Sequence, residues 1–192
     1  MSKPIEDYAL IGDTRTAALV SRDGSIDWLC LPRFDSGACF AALVGDEENG
    51  TWSLAPQGRA LTIKRAYRED SMVLETVYEL EGGGRVRVVD AMLPGSESPR
   101  VLRLVTGEAG RVAMRSEMRI RFDYGQIVPW IHRASGTVIA VAGPDALALY
   151  ADVPLEGQDL STVAEFWVGP GERVGFEMAY FASYEPQPGP SD

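Results

Sequence analysis

Three aspartates crowd one short stretch of the 192-residue chain: Asp23, Asp27 and Asp35. Asp27 and Asp35 flank Trp28, Cys30, Pro32, Arg33 and Phe34. Glycoside cleavage needs two carboxyl groups across one bond, so such a cluster has to be weighed as a sugar site. Aromatic faces beside Arg and Asp suit sugars in a second way: a ring's C–H face packs on the aromatic while hydroxyls meet the charged groups. The same residues have a plainer use, in which an Arg–Asp pair beside Trp and Phe pins a loop onto a core. Asp23 is accounted for by the turn Arg22-Asp23-Gly24-Ser25. Asp27 and Asp35 have no visible supporting base, and the sequence assigns no catalytic residue. A second cluster, Arg121-Phe122-Asp123-Tyr124-Gly125 followed by Pro129-Trp130, ends a long polar–apolar alternation. Asp123 and Gly125 read as turn residues. Tyr124 and Trp130 remain secondary candidates for facing a partner or a sugar.

Other chemistries find little support. His132 is the only histidine, no Gly-x-Ser-x-Gly elbow occurs, and an edge or surface position explains it. Gly82-Gly83-Gly84 lacks the following helix that would aim amides at a phosphate, and reads as a hairpin turn. Cys30 and Cys39, nine positions apart, lack the neighbours of a zinc site and read as buried thiols. No metal and no cofactor is expected. A formal net charge of −10 without a Lys/Arg cluster argues against nucleic acid. No apolar run approaches the roughly 20 residues of a membrane helix. Met1-Ser2-Lys3-Pro4 leads into polar residues and not into an apolar stretch, so a cytoplasmic location is expected.

The elements that would position these residues are strands. From Arg111 to Phe122, Val112, Met114, Ser116, Met118, Ile120 and Phe122 alternate with Arg111, Arg115, Glu117, Arg119 and Arg121. Period two predicts one buried and one wet face. Arg173–Ser183 and Met72–Leu80 alternate likewise. Turns are expected at Glu81–Gly84, Gly107–Gly110, Gly143–Asp145 and Gly169–Glu172, and Asp23-Gly24 predicts a hairpin joining Thr14–Ser21 to Ile26–Leu31. Only Cys39–Val44 reads as helical, giving one short helix near residues 38–45. The fold class is therefore all-β, an antiparallel sandwich or barrel. Three prolines and a glycine after Tyr184 predict a linker over 184–192 behind a domain of residues 1–183.

Tyr8–Asp13, Thr16–Val20 and Asp23–Ser36 closely resemble a signature of the amino-terminal domain of glycoside hydrolase family 15 proteins, the trehalase-like and bacterial glucoamylase-like branch. Arg65–Tyr67, Val73–Thr76, Val88–Pro94 and Arg121–Gly125 extend the resemblance over most of the chain. It implies a β super-sandwich followed by an (α/α)6 barrel whose two glutamates hydrolyse an α-glucoside with inversion, trehalose being the leading candidate. The barrel motifs are absent here, so no catalytic carboxylate transfers to this sequence. The resemblance makes the chain's own barrel the expected partner, with Trp28, Arg33, Phe34 and Asp35 facing it or the substrate. A free-standing carbohydrate-binding module, using Trp28, Phe34, Tyr124 or Trp130 as stacking platforms, is the alternative. A domain stripped of its barrel should expose an apolar face and dimerise with concentration.

Overall fold

A computed structural model describes residues 3–134 and 136–191. Its strands are β1 (Tyr8–Gly12), β2 (Ala17–Ser21), β3 (Ser25–Cys30), β4 (Ala38–Phe40), β5 (Thr51–Pro56), β6 (Ala60–Tyr67), β7 (Leu74–Leu80) and β8 (Arg85–Met92). They continue as β9 (Arg100–Ala109), β10 (Val112–Arg119), β11 (Trp130–Ala134), β12 (Thr137–Ala142), β13 (Asp145–Ala151), β14 (Glu156–Gln158), β15 (Ser161–Val168) and β16 (Arg173–Ala182). They form two antiparallel sheets of eight strands each. The first runs β1-β2-β3-β5-β10-β15-β14, with β4 also paired to β3; the second runs β11-β12-β13-β16-β9-β8-β7-β6. The fold is all-β, and no α-helix occurs among the described residues.

Alternation places the core as the sequence implies. Val112, Met114, Ser116 and Met118 of β10 point inward, joined by Trp52 and Leu54 of β5. They meet Val86 and Val88 of β8, Val101 and Val105 of β9, and Phe176 and Met178 of β16. Each fully buried large apolar side chain contributes about 1.5–3 kcal/mol. Ser116 is tolerated inside because its hydroxyl accepts from the Trp52 indole N–H at 3.0 Å. Across the sandwich, Arg103 of β9 is 0% exposed. It donates to Asp90 Oδ1, to the Trp52 carbonyl and to the Gly24 carbonyl, each at 2.7 Å, tying β8 and β9 to the opposite sheet. The Asp23-Gly24 hairpin forms as expected. Only glycine fits there: φ is +91°, and a Cβ would stand 2.5 Å from the Leu54 carbonyl oxygen.

Several expectations are corrected. The helix near residues 38–45 shrinks to one 3-10 turn, Ala42–Val44, because Ala38–Phe40 instead pairs with the end of β3. Tertiary pairing there outweighs local propensity. Arg121 does not continue the wet face of β10: the strand ends at Arg119 and the Arg121 side chain turns inward. Met72 lies before β7 and is exposed, and β9 runs to Ala109, which leaves Gly110 to make the turn. Cys30 and Cys39 are free and buried. Burial pushes the Cys39 thiol far up from its ordinary value. After Ala182 the chain folds back on the second sheet: Gln187 donates to Tyr150 (2.9 Å), Arg100 to the Gly189 carbonyl (2.9 Å), and the Ser191 N–H to Glu177 (2.9 Å).

Candidate functional site

One end of the sandwich is built from two stretches far apart in sequence. The first leaves β3 at Cys30 and returns at Ala38. Its base is closed by the Leu31 N–H on the Gly37 carbonyl (3.4 Å), and Thr16 holds the Cys30 carbonyl at 2.6 Å. A tight turn follows, with the Ser36 N–H on the Arg33 carbonyl and the Phe34 N–H on the Arg15 carbonyl. Phe34 stands on its tip, 67% exposed. Arg33 and Asp35 form a bidentate pair, Nε to Oδ1 at 2.9 Å and Nη2 to Oδ2 at 3.1 Å. Hydrogen bonding from Arg33 holds the Asp35 carboxyl below its usual range. Both side chains face solvent, so the pair shapes the turn and adds little stability.

The second stretch follows β10. Phe122 and Ile127 exchange backbone hydrogen bonds at 2.9 and 3.0 Å. Inside that closure Asp123, Tyr124 and Gly125 all take positive φ, 50°, 59° and 102°. Aspartate tolerates this region, but tyrosine there costs on the order of 1–3 kcal/mol. Gly125 is required, since a Cβ would lie 2.5 Å from Asn49 Nδ2, the group that donates to the Tyr124 carbonyl at 3.0 Å. This backbone turns the Tyr124 ring onto Trp28, with centroids 6.0 Å apart, and its hydroxyl toward the Ser36 carbonyl at 3.5 Å. Trp28 in turn packs on Cys30, Ala38 and Ala41. Of the sequence candidates, Arg33, Phe34 and Asp35 thus share one loop, while Trp28 lies on β3 at its base and meets Tyr124 from the other stretch. Trp130, at the start of β11, is 68% exposed and stacks parallel on His132, 5.6 Å between centroids and 3° between planes.

Asp27 lies elsewhere. It is buried at the floor of a polar groove of about 660 Å³ on the outer face of the first sheet. Its oxygens accept from Tyr8 (2.8 Å), Ser25 (2.9 Å), Thr51 (2.7 Å) and Lys3 (3.3 Å). Burial and then the Asp27 hydrogen bond push the Tyr8 phenol far above its ordinary value. Asp27 is therefore consumed in holding the amino terminus and β3 together, and Asp35 is occupied by Arg33. Asp23, Glu48 and Glu117 also line the groove, and no group of three metal-ligating side chains occurs among the described residues.

Sequence reasoning missed three residues. Asp13 is buried: its Oδ1 accepts from the Arg15 and Thr16 amides (2.9 and 2.8 Å) while its Oδ2 has no partner. Arg121 is 4% exposed and forms no ion pair among the described residues; its Nη1 donates to the Ile120 and Leu160 carbonyls at 2.7 and 3.3 Å. Leu160, with φ of 58°, stands 71% exposed on the β14–β15 hairpin. Asp13 and Arg121 carried a signal, since they fall within the Tyr8–Asp13 and Arg121–Gly125 signature segments. The inward turn of Arg121 depends on where β10 stops, and Leu160 on a two-residue turn with unsuitable residues.

Against known proteins, a family model described as "Trehalase-like, N-terminal" matches residues 1–157. A trehalase of Mycobacterium tuberculosis is 31% identical over 185 residues, taking in 81% of this chain and 27% of that protein. A trehalase of Thermoplasma volcanium is 29% identical over 157 residues, with 79% and 25% covered. Trehalase 1 of Sulfolobus acidocaldarius is 30% identical over 154 residues, with 79% and 26% covered. The chain spans about a quarter of the length of these curated relatives.

Proposed function

The chain belongs to the trehalase-like N-terminal domain family of glycoside hydrolase family 15, and from that premise we propose that it is a non-catalytic domain packing on, and shaping the active-site mouth of, an (α/α)6 catalytic barrel. The parent activity on this reading is hydrolysis of an α-glucoside, with trehalose the first candidate from the relatives' names. The observation that carries the reading is the joining of Trp28 to Tyr124 across the sandwich end, which leaves Phe34 projecting from a turn held at both ends. Strained backbone and exposed aromatics on a rigid double sheet are how scaffolds present groups to a neighbour.

The test replaces the matching N-terminal segment of the M. tuberculosis trehalase by this chain and measures trehalose hydrolysis. Arg33→Ala and Phe34→Ala in that chimera should lower kcat/KM at least about tenfold with little change in melting temperature, since positioning errors near a reacting centre cost on the order of 100-fold. An active chimera indifferent to both substitutions contradicts the role assigned to this loop. A second reading has one observation in its favour, the flat Trp130–His132 stack, which is a fit platform for a sugar ring. Titration calorimetry of the isolated chain with millimolar trehalose and maltose decides it: heat abolished by Trp130→Ala supports a binding module, and no heat rejects it.

A further inference from the structure

Beside the aromatic loops lies a pocket of about 270 Å³, bounded by Met118 and Ile120 near the end of β10, Val128, Pro129 and Ile131 leading into β11, and the Asp159-Leu160 turn. It sits where an edge strand of one sheet meets an edge strand of the other: Arg133 of β11 reaches Gly157 of β14 so closely that a Cβ there would stand 2.8 Å from Arg133 Nη2. Edge strands left uncovered beside apolar side chains invite a partner. Val128, Ile131 and Leu160 are all exposed on the rim.

Two features distinguish this rim from an ordinary surface. Asp159 and Leu160 both take left-handed backbone, φ 48° and 58°, in the two-residue turn joining Gln158 to Ser161. Such turns favour Asn-Gly or Asp-Gly, and an exposed leucine in the second position stabilises nothing within the chain. The pocket also holds two guanidinium groups, Arg121 and Arg133, and no carboxylate pairs with either among the described residues, although the chain carries a net charge of −10. Twelve of its eighteen Lys and Arg residues do form ion pairs. Burial, reinforced by nearby Arg119, draws the Arg121 guanidinium below its ordinary value. Asp159 also lines the pocket but pairs with neither arginine, and a buried cation facing a partly apolar pocket is complementary to an acid that arrives with an apolar neighbour.

We propose that this pocket is the principal docking point for the catalytic part of a trehalase-like enzyme, seating an apolar side chain whose adjoining carboxylate pairs with Arg121 and Arg133. The inference rests on the domain reading given above and adds the face. Its volume lies below the roughly 300–1,000 Å³ typical of small-molecule sites and suits one or two side chains. No aromatic ring lines it, which disfavours a sugar as occupant. A second copy of the chain is disfavoured by symmetry, because a two-fold interface centred here sets Arg133 against its own image.

The experiment compares Leu160→Asn in the isolated chain and in the same chimera. Asparagine accepts positive φ, so the isolated chain should melt higher, by roughly 1–3 °C. In the chimera the sign should reverse, with the domain's calorimetric transition falling by several degrees. Arg133→Glu should lower that transition further, and Arg133→Lys should restore part of it. Leu61→Asn, on the exposed far edge strand β6, should move neither protein. Should Leu160→Asn raise both melting temperatures equally, this face is not the docking face, whatever the chimera's activity. Should the unmutated chimera fail to fold or hydrolyse trehalose, the domain reading fails and the inference with it. Self-association of the isolated chain that Leu160→Asn abolishes, together with a chimera whose melting temperature the same substitution does not lower, assigns the pocket to a second copy and overturns the proposal.

Discussion

Arg103 and Arg121 are both shut away from solvent, yet their surroundings differ in kind. Arg103 sits between the sheets with a carboxylate, two carbonyls and the Trp52 ring, 5.1 Å from its guanidinium carbon. Its donors are spent inside the domain, and they join one sheet to the other. Arg121 sits at the sandwich end with two carbonyls and no ion-pair partner among the described residues, facing a pocket lined by apolar side chains and also by Gln158, Asp159, Ser161 and Thr162. The middle of the molecule is complete in itself, whereas the end is left unfinished, with strained backbone at Tyr124 and Leu160 and with Phe34 and Trp130 in solvent.

The contrast can be broken at either arginine. Arg103→Met leaves Asp90 as an unpaired buried carboxylate and should cost about 3–5 kcal/mol of unfolding free energy in urea titration. Arg121→Met strands no acid and should cost only about 1–2 kcal/mol, the loss of hydrogen bonds to two carbonyls. Equal losses would mean that the two sites are alike. Leu160→Asn should be a gain of roughly 0.4–1 kcal/mol in the isolated chain. A pH series sharpens the comparison at the amino terminus. Burial tends to raise the Asp23 carboxyl, but hydrogen bonds from Lys3 and Ser21 outweigh it and hold the carboxyl below its ordinary value. A depressed carboxyl stabilises the fold above its unfolded pKa, near 4, and that part is lost as pH falls through the lower folded value. Lys3→Ala should flatten this acid limb of the stability curve. Smallest of all, Asp35→Ala should leave the melting temperature of the isolated chain unmoved, because the Arg33–Asp35 pair is fully solvated.

The sandwich was legible because burial alternates along its strands. Val112 to Met118 could be assigned to one face from period two alone, and Asp23-Gly24 announced its hairpin. What failed was local: Ala38–Phe40 has residues that suit either a helix or a strand, and pairing with β3 decided between them. Arg121 carried the outward parity of Arg115 and Arg119 and turned inward only because β10 ends first. At the candidate site, the Trp28–Asp35 segment was visible as a cluster, and in the structure its Trp28 packs against Tyr124. Asp27 was misleading, since its type and spacing resemble an acid for chemistry while its four hydrogen bonds show a structural use. The pocket around Arg121 could not be read at all: its walls come from three separated stretches that only the sheet order brings together.

Amide hydrogen exchange, followed in the isolated chain and in the trehalase chimera, tests the central claim most directly. Packing of the catalytic part on the unfinished end should slow exchange in residues 31–37, 121–133 and 157–162, and leave the far edge, Ala60–Tyr67, unchanged. Protection confined to Ala60–Tyr67, or none in either region of an active chimera, would contradict it.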